Sequence, residues 1–310
     1  AAQAKYVFDS PQFKALPADQ QTKIVDVMDR GGIRCARGMA EMFEQSGGAM
    51  LQAKGSDGTT VLDSLDRLSQ SENKELAGTL MYDLVNPGRI WQGRAPTCTV
   101  STMQYELAHG DPGEYARLIT GLATDGKVTM RGGGVLETNA SWALYASDAR
   151  GDDRSKTEAL FQAAAMEYAN GTDSYLEYSQ MSVGGPETYR GLRGEQISNM
   201  VGQLFGVKYE TKQIGSDAEA TAELNEIMAR ERPNRPVLFD ITVDGQQANH
   251  CVSLEAVRNG RVYYRDPTTG DRQSMTVDEF RKRLAAVHYA PESSFLGGLV
   301  GKFKNLFKIE

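Results

Sequence analysis

Cysteine is scarce in this chain: three among 310 residues, at positions 35, 98 and 251. They are too few and too scattered for a disulfide framework, and no CxxC pair occurs that would hold a structural zinc ion. Long apolar runs are missing too. No run of about eighteen apolar residues occurs, so no segment reads as membrane-spanning. Basic charge is in the minority, with 34 Lys and Arg against 41 Asp and Glu and a net charge of −7. That excludes a general nucleic-acid binder, which needs a basic face to neutralise phosphates. The opening stretch AAQAKYVFDS has neither the basic nor the apolar region of a secretory signal, and no Met begins it, as expected of a trimmed or excised chain. There is no internal repeat and no low-complexity segment.

What is present is an ordinary soluble globular composition, 40% hydrophobic and 24% charged, long enough for one large domain or two smaller ones. Residues 17–85 read as helical. PADQQTKIVDVMDR puts Ile24, Val27 and Met28 on one face, and GGIRCARGMAEMFEQSGG, GTTVLDSLDRLSQ and NKELAGTLMYDLV follow as further helices before NPGR breaks the pattern. A helix is expected from Cys98, and another at GDPGEYARLITGLA, with Pro112 near its start. GKVTMRGGGVLE reads as a hairpin, and SKTEALFQAAAMEYANG and GEQISNMVGQLFG as helices. After residue 235 the chain turns to short β-branched and aromatic runs, RPVLFDITV, NHCVSLEAV and GRVYYRDP, joined by DGQQA and RNG. TVDEFRKRLAAVHYA reads as a last helix, with Thr276 as N-cap and Glu279 three residues on. Helices first and antiparallel strands last make the class α+β.

The segment WQGRAPTCTVSTMQYELA carries the first chemical signal. Pro96 keeps the residues before Cys98 out of a helix, and those after it are helix-formers. Cys98 thus sits at a helix N-terminus, where unpaired N–H groups and the positive dipole end favour the reactive thiolate. From position alone, a small buried hydrophobe is the competing reading.

A thiol nucleophile needs a base, and the chain offers three histidines. His109 lies at the far end of the same helix, about 16 Å along its axis, too far to serve. His288 reads as a structural residue ending a helix. His250 opens a strand, a rigid place for a base. The run HCVSLEAVRNGRVYYRDPTTG is two strands around a tight turn, and folding it back brings His250 and Asp266 together. Asp266 on its own would be a turn former; beside His250 it becomes the acceptor that orients the ring.

This pattern resembles the papain-like cysteine peptidases, in which a Gln stands six positions before a Cys that opens the central helix, and a His at a strand start and an Asn or Asp follow much later. The matching residues here are Gln92, Cys98, His250 and Asp266. Gln92 is followed by Gly93, as in the family's frequent Gln-Gly, and DPTTG is closer to the bacterial C39-like branches, where Asp replaces Asn. The chain departs from the CGSCW signature of the cathepsins: it reads APTCTVS, with no Trp after Cys98. The resemblance covers roughly residues 86–290. It implies a two-lobed papain-like fold, a helical lobe followed by an antiparallel sheet lobe, needing no cofactor or metal. It further implies a thiol hydrolase acting on a peptide or isopeptide bond of a protein or peptide substrate. Cys98 would be the nucleophile, His250 the base, Asp266 its orienter, and Gln92 with the Cys98 N–H the oxyanion donors. Two alternatives stay open: a glutamine deamidase or transglutaminase, as bacterial papain-like toxins can be, and a catalytically silent domain used for binding. The location stays open; the resemblance allows a soluble bacterial protein that is secreted or delivered as an effector.

Residues 1–85 read as an added N-terminal helical region without a catalytic candidate. SVGGPETYRGLRG, 182–194, is a cleft wall or a plain loop between lobes. Residues 291–310 read as an amphipathic helix with Phe295, Leu299, Phe303 and Leu306 on one face, suited to a membrane surface, a partner groove or docking on its own domain.

Overall fold

The computed structural model describes residues 2–93, 95–138, 154–171, 191–229, 236–243 and 249–291. The glycine-rich segment from 182 to 190, the linker at 244–248 and the tail from 292 onward lie outside the described residues.

The chain is α+β, with nine helices ahead of the main sheet among the described residues. They are α1 (Ala2–Asp9), α2 (Pro11–Lys14), α3 (Ala18–Ser46), α4 (Val61–Ser69), α5 (Leu76–Val85), α6 (Cys98–Gly110), α7 (Pro112–Asp125), α8 (Lys156–Asn170) and α9 (Gly194–Phe205). The hairpin β1 (Lys127–Thr129) and β2 (Val135–Glu137) stands between α7 and α8. The remainder is β3 (Glu210–Gln213), α10 (Asp217–Ala229), β4 (Leu238–Thr242), β5 (Asn249–Arg258), β6 (Arg261–Asp266), β7 (Asp271–Thr276), α11 (Val277–Arg283) and β8 (Leu284–Tyr289). The six long strands form one antiparallel sheet in the order β3-β8-β4-β5-β6-β7.

One expectation needs correcting. The last helix stops at Arg283, and LAAVHY continues as β8, hydrogen-bonded between β3 and β4. The Thr276–Glu279 capping box forms as the sequence indicates. Beyond the charged turn Arg281-Lys282-Arg283, however, the apolar residues are buried in the middle of the sheet, and that tertiary gain overrides helix propensity. His288 therefore lies in a strand. It is buried, with Thr211 Oγ1 2.8 Å from its Nδ1 and Asp240 Oδ2 3.3 Å from its Nε2.

The sheet is covered on both faces. On one side α6 packs on β5 and α9 on β3 and β8; on the other lie α10 and α11. Strand alternation serves both layers. In β4, Leu238 points to the helical core, while Phe239 and Ile241 meet Val252, Val262 and Phe280. The Phe239 and Phe280 rings meet edge to face, 5.2 Å between centroids. The helices before residue 86 share one core with the later ones: Val7, Ile24, Leu65 and Met81 belong to the same cluster as Val100, Leu118 and Phe161. Residues 99–105 of α6 are all buried, so this central helix meets the surface only at its two ends, at Cys98 and at His109–Gly110.

Candidate active site

Cys98 is the first residue of α6. Of the three thiols it alone is partly exposed. Burial pushes Cys35 up to about 11 and holds Cys251 well above the ordinary range, so neither is a competing nucleophile. Thr97 precedes the helix, yet its side chain makes no capping bond to it; the hydroxyl donates instead to Gln162 Oε1 at 2.7 Å. The first-turn N–H groups of α6 thus keep their capacity to bind an anion.

His250 comes from β5, opposite Ile241 of β4. Its Nε2 lies 2.8 Å from Asp266 Oδ1 and 3.3 Å from Thr268 Oγ1. With Nε2 committed there, Nδ1 is the ring atom left to face Cys98, whose sulfur lies near enough to act on the ring. Burial works against a charged His250. The Asp266 bond, then the nearby Cys98 sulfur and the Asp266 charge, outweigh it and lift the pKa to about 10. Burial likewise opposes a charged Asp266, but the His250 bond and charge and the Thr268 N–H, 2.8 Å away, hold its carboxyl below the usual range.

A β-bulge makes this alignment. From the Asn259–Gly260 turn, with φ of 52° and 70°, Arg258 pairs with Arg261 and Ala256 with Tyr263. The register then shifts, and Leu254 pairs with Tyr264 and Ser253 with Arg265. Unbroken pairing from the turn would put His250 opposite Thr269 and leave Asp266 on the other face of the sheet. The extra residue, Glu255, moves the partner to Thr268, which shares a face with Asp266. Glu255 is itself anchored, accepting from Tyr105 Oη at 3.1 Å and from Arg265 at 2.8 Å, and pairing with Arg272.

Gln92 joins the same group of residues. Its backbone N–H donates to Pro267 C=O at 2.7 Å, directly after Asp266. Gly93 takes a positive φ of 58°, and the chain turns so that Gln92 Nε2 donates to Ala95 C=O at 3.0 Å. The second amide hydrogen has no partner among the described residues, which leaves it to donate to a developing negative charge. The structure therefore brings Cys98, His250, Asp266 and Gln92 to one place. His109 stays at the far end of α6, stacked on Tyr105. A separate open cleft of about 710 Å³ beside Pro87, lined by Arg89, Arg265 and Arg272, contains none of the four.

Sequence reasoning missed the buried support behind Gln92 and Cys98. Glu158 and Gln162 of α8 bond to the backbone of Trp91 on either side, the N–H to Glu158 Oε1 at 3.1 Å and the C=O from Gln162 Nε2 at 2.9 Å. The signal available was two polar side chains one turn apart within the apolar face of an alanine-rich helix. Among the described residues there is no cluster of His, Cys, Asp and Glu that could hold a metal ion, and no helix long and apolar enough to cross a membrane. No protein-family model matches this chain, and no curated protein is detectably similar to it in sequence.

Proposed function

We propose that this chain is a thiol hydrolase of papain-like, two-lobed architecture that cleaves a peptide or isopeptide bond through a thioester acyl-enzyme. The observation that carries this reading is the His250–Asp266 hydrogen bond beside the Cys98 end of α6, with Gln92 tied to the residue after Asp266. The helical half and the antiparallel sheet half, with the thiol on one and the base on the other, support the architecture.

The Cys98 thiolate attacks the substrate carbonyl carbon, and the π electrons move onto oxygen. Gln92 Nε2–H and the Cys98 N–H stabilise that oxyanion. The His250 imidazolium gives its proton to the departing amine as the C–N bond breaks. Neutral His250 then takes a proton from water, the hydroxide cleaves the thioester, and the acid product leaves. Asp266 holds the ring with Nδ1 toward sulfur and stabilises its charge.

The test is labelling by a thiol-reactive probe, followed by mass spectrometry of a treated proteome. Wild type should label far faster than Cys98→Ser, and new chain termini should appear in the proteome. Equal labelling rates would remove the enzyme reading and leave a binding domain. Fast labelling with a gain of about one dalton at Gln, and no new termini, would reassign the same thiol chemistry to deamidation.

A further inference from the structure

Gln162 is a fully buried side chain outside the catalytic constellation, and it makes four hydrogen bonds. Nε2 donates to Trp91 C=O at 2.9 Å and to Gln104 Oε1 at 3.0 Å. Oε1 accepts from Thr97 Oγ1 at 2.7 Å and from an Arg154 guanidinium N–H at 3.0 Å. An amide has two donor hydrogens and two acceptor lone pairs, so its capacity is filled. Its orientation is also determined: a carbonyl can only accept and a guanidinium can only donate, which fixes which end of the amide faces Trp91 and which faces Arg154.

Two of these four partners sit next to the two oxyanion donors. The Trp91 carbonyl belongs to the peptide that leads into Gln92, and the N–H of that same peptide is held by Pro267 C=O at 2.7 Å. This peptide plane is therefore gripped on both edges. Thr97 is the residue before Cys98, in the N-cap position, where a threonine hydroxyl ordinarily turns back onto the first-turn N–H groups. Here Gln162 takes that hydroxyl, and α6 has no side-chain cap. Through that bond Gln162 holds the residue that leads directly into the Cys98 N–H.

Resting on the thiol-hydrolase reading, we propose that Gln162 is the positioning residue of the oxyanion hole: one buried amide that sets the spacing between Gln92 and the start of α6. Gln162 touches no substrate. It acts on how well the site receives a negatively charged oxygen, and not on the thiolate–imidazolium pair, which His250 and Asp266 hold from the sheet.

The test compares two reagents that differ in the need for an oxyanion. With p-nitrophenyl acetate, Cys98 forms an S–C bond as the ester C–O bond breaks and p-nitrophenolate leaves; the step passes through an oxyanion. With 2,2′-dipyridyl disulfide, the thiolate displaces thiopyridone and no carbonyl takes part. Gln162→Met and Thr97→Val should slow acylation by roughly tenfold to a hundredfold, since loss of one donor costs about 10²–10³ where it is complete. Both should keep the disulfide reaction and its pH profile within about threefold, and Thr97→Ser should restore acylation. Thr97→Val keeps the side-chain shape, so it decides the matter if Gln162→Met fails to fold. Acylation unchanged in Thr97→Val, or both reactions falling together, would overturn the role assigned to Gln162. If wild-type Cys98 reacts with neither reagent faster than an unfolded thiol, the hydrolase reading itself fails.

Discussion

Replacing Cys98 with Ala should lower the proton affinity of a histidine that lies some 150 residues away in sequence. In the native chain burial disfavours the charged His250 ring, and Asp266 and Cys98 together still raise its pKa from an ordinary 6.5 to about 10. At about 1.4 kcal/mol per tenfold change, that is a differential interaction of about 5 kcal/mol. The side chain is only 12% exposed, so solvent screening removes little of it. The Asp266 bond is the largest of the raising effects, followed by the nearby Cys98 sulfur and then by the Asp266 charge. Cys98→Ala should therefore bring the titration down toward neutrality, and Asp266→Asn should do the same. With both partners gone, only the burial penalty remains, and the ring should titrate below 6.5. The measurement is ring-carbon NMR of histidine-labelled protein, which has three signals to assign; His109, lowered by burial, titrates well apart. The sign for stability follows: a pKa raised in the fold contributes stability fully present below about 6.5 and lost as pH rises through about 10. The melting temperature of wild type should fall across that window, and that of Cys98→Ala should fall less. A wild-type His250 that titrates near 6.5, or at the same pH with and without the thiol, would refute the pairing.

Three further outcomes are expected. On the proposed reading the Gln92 amide serves the oxyanion and not the base, so Gln92→Ala should cut acylation by p-nitrophenyl acetate by about 10²–10³ while leaving His250 titration in place; equal rates would remove Gln92 from the site. Phe239→Ala, at a fully buried ring packed on Phe280, should cost about 3–5 kcal/mol in urea unfolding. Tyr115→Phe removes the hydroxyl that donates to Asp83 Oδ2 at 2.7 Å and accepts from Gln104 at 2.7 Å, and should cost about 1–3 kcal/mol in the same measurement.

Much of the site is legible in the sequence because its signals are local. Pro96 and the helix-formers after Thr97 define where α6 begins, and Asn259–Gly260 closes the hairpin that ends at Asp266. The features that sequence reading missed depend on distant chain. Nothing in SKTEALFQAAAMEYANG tells that the backbone of Trp91 lies against Glu158 and Gln162. β8 reads as helix because its residues suit either state, and only its two flanking strands decide. The bulge left no clear trace: Val252, Leu254 and Ala256 continue the alternation, and only the structure shows that Val257 shares the layer of Val252 and Leu254, an odd step.

That odd step gives Glu255 a part in placing His250 beside Asp266 without any contact to the ring. A strand with period two has only two faces, so a hairpin can present His250 and Asp266 together only if the count between them has the right parity. The turn at Asn259–Gly260 supplies the wrong parity, and one unpaired residue corrects it. Glu255 holds that residue by bonds to groups on three other elements, Tyr105 of α6, Arg265 of β6 and Arg272 of β7. Glu255→Ala would strip a largely buried Arg265 of its carboxylate, a loss of about 3–5 kcal/mol for a buried pair. If the side-chain anchor is what fixes the bulge, the variant should also show a lower His250 pKa by NMR, although Glu255 does not touch the ring. A variant that loses stability while His250 still titrates near 10 would place the register in the backbone alone, and the anchor would then serve the sheet and not the site.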